Sequence, residues 1–489
     1  MKYIIKTSLL LTMIFVMVTG CEDLTDINED PNRPAEVSVD YLLTAAQRQL
    51  GLRYYGVFDN IAFGMTIAQY WAQNEYSDEV RYQYRPATNN TFWLQFYTAI
   101  NDLEEIIRIN DELDLEDPTV NAAQVNNQNA IATIMKAWAY HNMVDIYGNI
   151  PYSEALRGSE IPNPAYDDQE EIYNSLITNV QNAVADIDED EPGFAGGDVV
   201  YGGDMSKWAK FGNSLLLRMG IRISDVNSTL AQDVISGAAD NAISSNADNA
   251  AFQFITEQPS VNPLYVSYIV DGRQDYAATA NFINLLNSLN DPRVAEYFSP
   301  ADESGEFVGL TYGLESAEAA AIPRSEVSQL NPQLLEPDFE GMMMDYAETS
   351  FILAEAASKG WVSGSPEQFY NQGIAASMEY WEAASSAQIS NYIASNPYSE
   401  DNLAIQKYIA FYMQGWQAWA EIRRLDLENI PEANLVVYEP SENFIDIQGI
   451  PKRRIYPLDE QSLNSSNYAE AANDIGGDEY DTNLFWDVD

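Results

Sequence analysis

Apolar residues recur every three or four positions through much of the chain, the spacing that lines one face of an α-helix. Between Gln128 and Tyr147 the stripe is Ile131, Ile134, Trp138 and His141. From Ser206 to Ser224 it is Gly212, Leu216, Met219 and Ile223. Residues 342–358 carry Met343, Ala347, Phe351 and Ala354, and residues 402–424 carry Ile405, Ile409, Tyr412, Trp416 and Ala420. Each segment predicts an amphipathic helix of about four to six turns with one face for a core.

Short links between such segments predict a mostly α fold of stacked, tetratricopeptide-like helical hairpins, although no clean repeat of roughly 34 residues is present. The stretch 252–337 breaks the pattern, being richer in Pro, Gly, Ser and Tyr. It predicts an irregular, loop-rich subdomain on the helical scaffold, with Tyr265–Ile269 and Phe307–Tyr312 as loops or short strands. Loops held by a rigid scaffold are where binding residues collect. After Arg424 the chain again predicts mostly loop. Lys452, Arg453 and Arg454 bring basic residues back to an acidic chain there, for docking against helix carboxylates.

The start of the chain follows a different rule. Lys2 and Lys6 precede an apolar stretch from Leu9 to Val18, and Val18-Thr19-Gly20-Cys21 follows. A basic start, a short apolar core and small residues before a cut describe a secretory signal; a membrane span needs about 20 apolar residues. Cys21 is the only cysteine, so no disulfide explains it, and the segment resembles a bacterial lipobox with Cys21 as the acylated first residue. The organisation expected is a signal peptide over 1–20, an acylated tether over 21–40 and one domain over 41–489. The tether carries Pro31, Pro34 and scattered acids. Glu22 and Asp23 directly after the cysteine resemble an export signal to the cell surface.

Composition narrows the partners. With 75 acidic against 24 basic residues the formal charge is −51. Phosphate binding needs a basic footprint, so nucleic acid is excluded as a partner, and polyanionic substrates are disfavoured. Forty-six per cent hydrophobic residues suffice for a large core, which must hold without disulfides.

Catalytic motifs are missing. There is no Gly-x-Ser-x-Gly, phosphate loop or dinucleotide fingerprint, and no cofactor is expected. His141, the sole histidine, lies on an apolar stripe and reads as a hydrogen-bonded core residue; one histidine does not build a usual zinc site. Asp186, Asp188 and Asp190 have the spacing that opens a calcium loop, but Glu191 and Gly197 stand where glycine and glutamate are required. They read as a solvated turn. Glu348 and Glu355 lie on one helix face and read as structural partners of arginines such as Arg218, Arg222, Arg423 or Arg424 rather than as a hydrolytic pair.

Aromatic residues are the richer resource, with 31 Tyr, 9 Trp and 18 Phe. Two clusters fall in loop-like segments. One is Trp71, Tyr76, Tyr82 and Tyr84, interleaved with Asn74, Arg81 and Arg85; the other is Tyr265, Tyr268, Arg273, Asp275 and Tyr276. Aromatic faces beside Asn, Asp and Arg suit a sugar, whose C–H groups stack on the ring while its hydroxyls take the polar groups. Packing of these rings on the scaffold is the competing reading.

An ordered set of motifs over the mature chain carries a family resemblance. It comprises Asn28-Glu29-Asp30-Pro31-Asn32, Tyr147-Gly148-Asn149-Ile150-Pro151-Tyr152 and Trp208-Ala209-Lys210-Phe211-Gly212-Asn213, with Arg218 and Arg222 beyond. Asp291-Pro292-Arg293, the stretch Glu348 to Trp361, Gln406-Lys407-Tyr408, Trp419-Ala420-Glu421 and Arg453-Arg454-Ile455-Tyr456-Pro457 complete it. The chain resembles the SusD/RagB-like outer-membrane lipoproteins. The resemblance implies a helical, tetratricopeptide-containing domain with an irregular ligand-binding region. It also implies a place over a SusC-like TonB-dependent transporter, to which a captured nutrient, usually an oligosaccharide, is handed. Arg273-Gln274-Asp275-Tyr276 resembles a recurrent stretch expected near the ligand face.

The function expected is therefore non-catalytic capture of a neutral oligosaccharide at the outer membrane, facing the cell exterior. A peptide or other small nutrient in the same role, a surface glycoside hydrolase and a structural surface-layer protein are the alternatives.

Overall fold

A computed structural model describes residues 37–439 and 444–488. The signal segment, Cys21, the Asn28–Asn32 motif and most of the tether lie outside the described residues. Among the described residues no helix is long and apolar enough to cross a membrane.

The first half is built from α1 (Val39–Tyr54), α2 (Ala87–Asp111), α3 (Ala122–Tyr147), α4 (Gln169–Ala185), α5 (Met205–Arg222) and α6 (Ser228–Ala238). Each packs on the next as a helical hairpin, the mostly α architecture that the periodicity predicts. Starts are fixed by side chains that satisfy free N–H groups: Asp168 accepts from Glu170 and Glu171 at α4, and Asp204 accepts from Lys207 at α5. The end of α3 falls at Gly148, where φ is +86°, a conformation that costs glycine little. Gly212 lets α4 and α5 approach closely, since a Cβ there would stand 2.4 Å from Val184 Cγ2.

The second half holds α7 (Ala280–Leu289), α8 (Tyr346–Ser358), α9 (Pro366–Tyr380), α10 (Ser386–Ser395), α11 (Glu400–Ala410) and α12 (Gly415–Arg424). Two expected helices are corrected here. The span 342–358 begins as strand β6 (Gly341–Met344), antiparallel to β2 (Ala250–Phe252). Met343 belongs to that strand. All four β6 residues are buried, and a short apolar run buried on both sides looks the same to a periodicity argument whether strand or helix. The helix starts only after Asp345, whose side chain accepts from Glu348 N at 2.7 Å. The span 402–424 is two helices, broken at residues 411–414, where Met413 takes φ +73°; its apolar stripe runs on through the break.

The loop-rich stretch also differs in detail. Tyr265–Ile269 is not a strand: Asn262 caps a turn at Pro263–Tyr265 that widens into a π-helical turn, Val266–Val270. Phe307–Tyr312 contributes only a bridge, Leu310 to Thr279. The strands in this region are β3 (Tyr276–Ala278), β4 (Phe298–Ser299) and β5 (Gln329–Leu330). β3 pairs with β1 (Trp71–Gln73), and β4 pairs with β5. The C-terminal region is less loop-like than expected, containing helices Leu458–Leu463 and Ser465–Asp474. Arg454 docks on Asp59 of a helical turn at 3.4 Å, while Arg453 pairs with Asp478 of the C-terminal region itself at 2.6 Å.

Buried ion pairs lock the two halves together. Arg218 of α5 meets Glu348 of α8 at 2.6 Å. Lys407 bridges Glu355 and Glu421 at 2.7 and 2.8 Å, and Arg424 reaches the same two at 2.8 and 2.6 Å. Arg222 adds contacts of 2.9 Å to Glu421 and 3.3 Å to Asp145 of α3. Although burial alone would raise it, these cations hold the Glu421 carboxyl well below the usual range. Glu348 and Glu355 are thus structural, as their spacing suggests. His141 is fully buried, which lowers its pKa to about 3. Its expected hydrogen bond is not formed in good geometry, although Nε2 stands 3.3 Å from Asp145 Oδ2.

Candidate functional site

The pairing of β1 with β3 brings the two aromatic clusters together. Gln73 stands opposite Tyr276, and beyond the strands Asn74 N donates to Asp275 O at 2.9 Å. The loops that follow β1 and precede β3 therefore run side by side. Tyr76 lies in the left-handed region, at φ +53°, and the turn there carries its ring outward. A π-helical turn, Val57–Gly64, supplies the third wall. Its inner side is fixed by Asp59, paired with Arg53 at 2.5 Å, and by Asn60 Nδ2 donating to Met413 O at 3.0 Å. That leaves Phe58 facing out.

These three segments enclose a cleft of about 350 Å³. Its floor is Ala62, Gln73, Ser267 and Tyr276, all buried, and its rim is Phe58, Tyr76, Arg85, Asp271 and Arg273. The rim rings are 47% (Phe58) and 53% (Tyr76) exposed, unlike most aromatic side chains in the protein. Each is backed by a cation: Arg85 lies 5.5 Å from the Phe58 ring centre and Arg273 lies 4.8 Å from that of Tyr76. Each cation is in turn held by a carboxylate of the cleft. Arg273 donates to Asp275 Oδ2 at 3.0 and 2.6 Å, and Arg85 lies 3.3 Å from Glu79. Burial pushes the Glu79 carboxyl up, against the bond from Gln73 Nε2 at 2.6 Å and the charge of Arg85. Tyr76, Tyr276 and Ser267 bring hydroxyls to the same space. The arrangement offers two ring faces for C–H surfaces and a mixed set of donors and acceptors between them, the pattern of a small-ligand site. A larger cavity of about 630 Å³, between α4, α5 and α6, has no aromatic ring in its lining.

Of the residues nominated from sequence, Tyr76, Arg273, Asp275 and Tyr276 line this cleft. The others stand elsewhere. Trp71 is 0% exposed, its Nε1 donating to Tyr412 Oη at 3.1 Å, and Tyr82 is also 0% exposed; neither can offer a face to a ligand in this structure. Tyr84 packs on Phe63, with its hydroxyl sealed from solvent. Tyr268 is buried and donates to Tyr276 O at 2.8 Å, so it supports the floor from behind. Asn74 is buried and accepts from Arg324 at 3.3 Å. Arg81 pairs with Glu315 at 3.2 Å and lies over Phe444, away from the cleft, and Tyr265 does not line it. Sequence reasoning missed Phe58, Glu79, Asp271 and Ser267 and left Arg85 unnominated. Phe58 gave no signal, because a single aromatic in an apolar run reads as core; Glu79 and Arg85, interleaved with the first cluster, could have been found.

The family model for SusD-like proteins, described as starch-binding associating with outer membrane, matches residues 31–457. The chain belongs to the SusD-like family. Solved structures agree in fold. A chitin-binding protein superposes with a TM-score of 0.81 at 27% identity, over 92% of this chain and 100% of its own. A chitin-binding SusD homolog from Flavobacterium johnsoniae gives 0.78 at 21% identity, over 92% and 99% of the two chains. A SusD homolog from Bacteroides uniformis gives 0.76 at 24% identity, over 92% and 100%. No match is found among curated proteins. The SusD-like assignment explains the two-part architecture of helical hairpins and loop-rich face; it leaves the ligand to the cleft's own chemistry.

Proposed function

We propose that this SusD-like protein is a non-catalytic glycan receptor at the cell surface, anchored in the outer membrane through acylated Cys21. It captures a neutral oligosaccharide in the Phe58–Tyr76 cleft and passes it to a SusC-like TonB-dependent transporter. The observation that carries the reading is the pair of exposed rings on one cleft, with hydroxyl, amide and carboxylate groups between them. Two of the three carboxylates of the cleft, Glu79 and Asp275, are each engaged by a guanidinium, which suits orientation of a sugar better than proton transfer. Among neutral glycans a chitin-type chain is favoured by the chitin-binding protein at 27% identity, and a starch-type chain by the family description.

The test is calorimetric titration with N-acetylglucosamine and malto-oligosaccharides, run beside an assay for chain cleavage. Binding of one of them without turnover is expected. Turnover at catalytic protein concentration, or indifference to every neutral oligosaccharide, would overturn the reading. Palmitate labelling that is lost in Cys21→Ala checks the anchor, and co-purification of a barrel from solubilised outer membrane checks the transporter.

A further inference from the structure

A second groove lies away from the Phe58–Tyr76 cleft and shares no residue with it. It encloses about 480 Å³ between the β6 entry, the end of α9 and the helical turn Val294–Tyr297 before β4. Its lining holds four carboxylic side chains, Glu296, Asp338, Glu340 and Glu382, and no Lys, Arg or His. Its wall is aromatic. Phe339 and Trp381 stack with ring centres 6.1 Å apart, and Tyr380 meets Trp381 edge-on at 5.4 Å. Glu340 is held in place by Tyr380 Oη at 2.8 Å and Gln253 Nε2 at 3.0 Å.

At its base the groove adjoins a recess of about 10 Å³, walled by Phe339, Glu340, Tyr380 and Trp381 in common with it, and additionally by Asp345 and Gln414. Gln414 is 2% exposed. Its Nε2 donates to Asp345 Oδ2 at 2.9 Å, and its Oε1 has no partner. A buried acceptor without a donor is costly, and a recess of this size takes one small donor group. Carboxylates above, a lone acceptor below and ring faces alongside share one preference. All three favour a cation that donates hydrogen bonds.

We propose that this groove is a second binding site, for saccharides bearing free protonated amines such as 2-amino-2-deoxyhexose units. The ammonium groups meet Asp338, Glu340 and Glu382, and the sugar faces lie against the part-exposed rings Phe339 and Tyr380, with the buried Trp381 behind them. A neutral or N-acetylated sugar has no charge for the carboxylates, so the two sites divide a partly deacetylated chain between them. The preference for a saccharide over a basic peptide rests on the glycan reading of the family; the cationic chemistry does not.

The experiment is calorimetric titration of the mature protein with glucosamine tetramer, N-acetylglucosamine tetramer and tetralysine, at low and high salt. The glucosamine tetramer is expected to bind, to weaken at high salt, and to weaken about tenfold when Asp338→Asn and Glu382→Gln are combined. Both side chains are exposed, so the double variant should fold; Glu296→Gln serves as a second variant. Tyr76→Ala and saturating N-acetylglucosamine tetramer should leave this binding unchanged. The proposal is overturned if the glucosamine tetramer does not bind, or if its binding is lost in Tyr76→Ala and retained in the acidic variants. It is also overturned if tetralysine binds as tightly with the same sensitivity, which would make a basic peptide the occupant. Failure of the acetylated chain to bind counts against the first cleft alone.

Discussion

Trp71 and Tyr76 stand five residues apart in one aromatic cluster, and the structure assigns them opposite duties. Trp71 is 0% exposed, contacts Tyr276 at 5.6 Å and donates to Tyr412. Tyr412 Oη itself donates to Tyr297 O at 3.2 Å, so removing the indole leaves a cavity rather than an orphaned hydroxyl. Large-to-small replacement of a buried Trp costs about 3–5 kcal/mol, and Trp71→Ala should lower the unfolding free energy by that much. Tyr76 is half exposed and is touched by Arg273; Tyr76→Ala should cost no more than ~1 kcal/mol, the worth of an exposed cation–π contact. Its loss should appear in binding. A sugar that covers the exposed half of the ring gains about half of the ~1.5–3 kcal/mol for full burial of a large side chain. That corresponds to roughly 4- to 12-fold weaker binding. Urea unfolding followed by circular dichroism gives the first quantity, and calorimetry with the best oligosaccharide gives the second. If Trp71→Ala kept full stability while losing binding, and Tyr76→Ala did neither, the burial argument would be refuted and the cleft misplaced.

Two further expectations concern the core. The sole histidine is neutral in the fold, with a pKa of about 3 against 6.5 for the free side chain. The unfolded chain therefore binds the extra proton between those values, and stability falls as pH drops below 6.5. From pH 6.5 to 4.5 the contribution is about 2–3 kcal/mol; His141→Gln should flatten the urea-midpoint profile over that range, and the His141 proton resonance should not move above pH 4.5. A ring that titrates near 6.5 in the folded protein would contradict the burial. Glu421→Ala leaves Lys407, Arg222 and Arg424 short of a shared buried carboxylate, and breaking such a network costs about 3–5 kcal/mol. A change below ~1 kcal/mol by urea unfolding would show that the network is not tightly packed.

Helices were legible from apolar spacing even where burial is all-round, as in α3 from Ala137 to Tyr147, and the limits of that signal are physical. The span from Ile405 to Ala420 is buried throughout, both short helices and the break at 411–414 alike, so its apolar spacing runs on where the helix does not. Gly415 is needed there for approach to Gly64, where a Cβ would stand 2.3 Å from the Gly64 carbonyl carbon. No local pattern encodes a contact between residues so far apart in sequence. The site was half legible for a related reason. Aromatic and charged residues in loops identified the right neighbourhoods, since β1 and β3 bring both to one place. Which rings face out depends on tertiary contacts: Tyr82 and Tyr76 each take positive φ, yet one packs against Tyr438 at 5.2 Å and the other stands in solvent.

The charge of −51 acquires a sharper meaning once the cations are placed. Arg218, Arg222, Arg293, Lys407, Arg453 and Arg454 are each 3% exposed or less, and five of the six pair with buried carboxylates; Arg453 pairs with Asp478, 9% exposed. A cation enclosed in the core does little to neutralise the surface, so the exterior is more uniformly acidic than composition alone implies. Arg85 and Arg273 are among the better exposed cations, at 45 and 52%, and both stand in the first cleft. There they are matched by Glu79 and Asp275, with Asp271 beside them, so the cleft has no positive charge to spare for a sulfated or uronic chain. A neutral chain meets rings and hydrogen-bonding groups whose strength depends little on salt. A protonated amine at the second groove meets carboxylates with no cation in the lining, and its binding must fall as ionic strength rises. The salt response alone therefore separates the two sites, before any residue is changed.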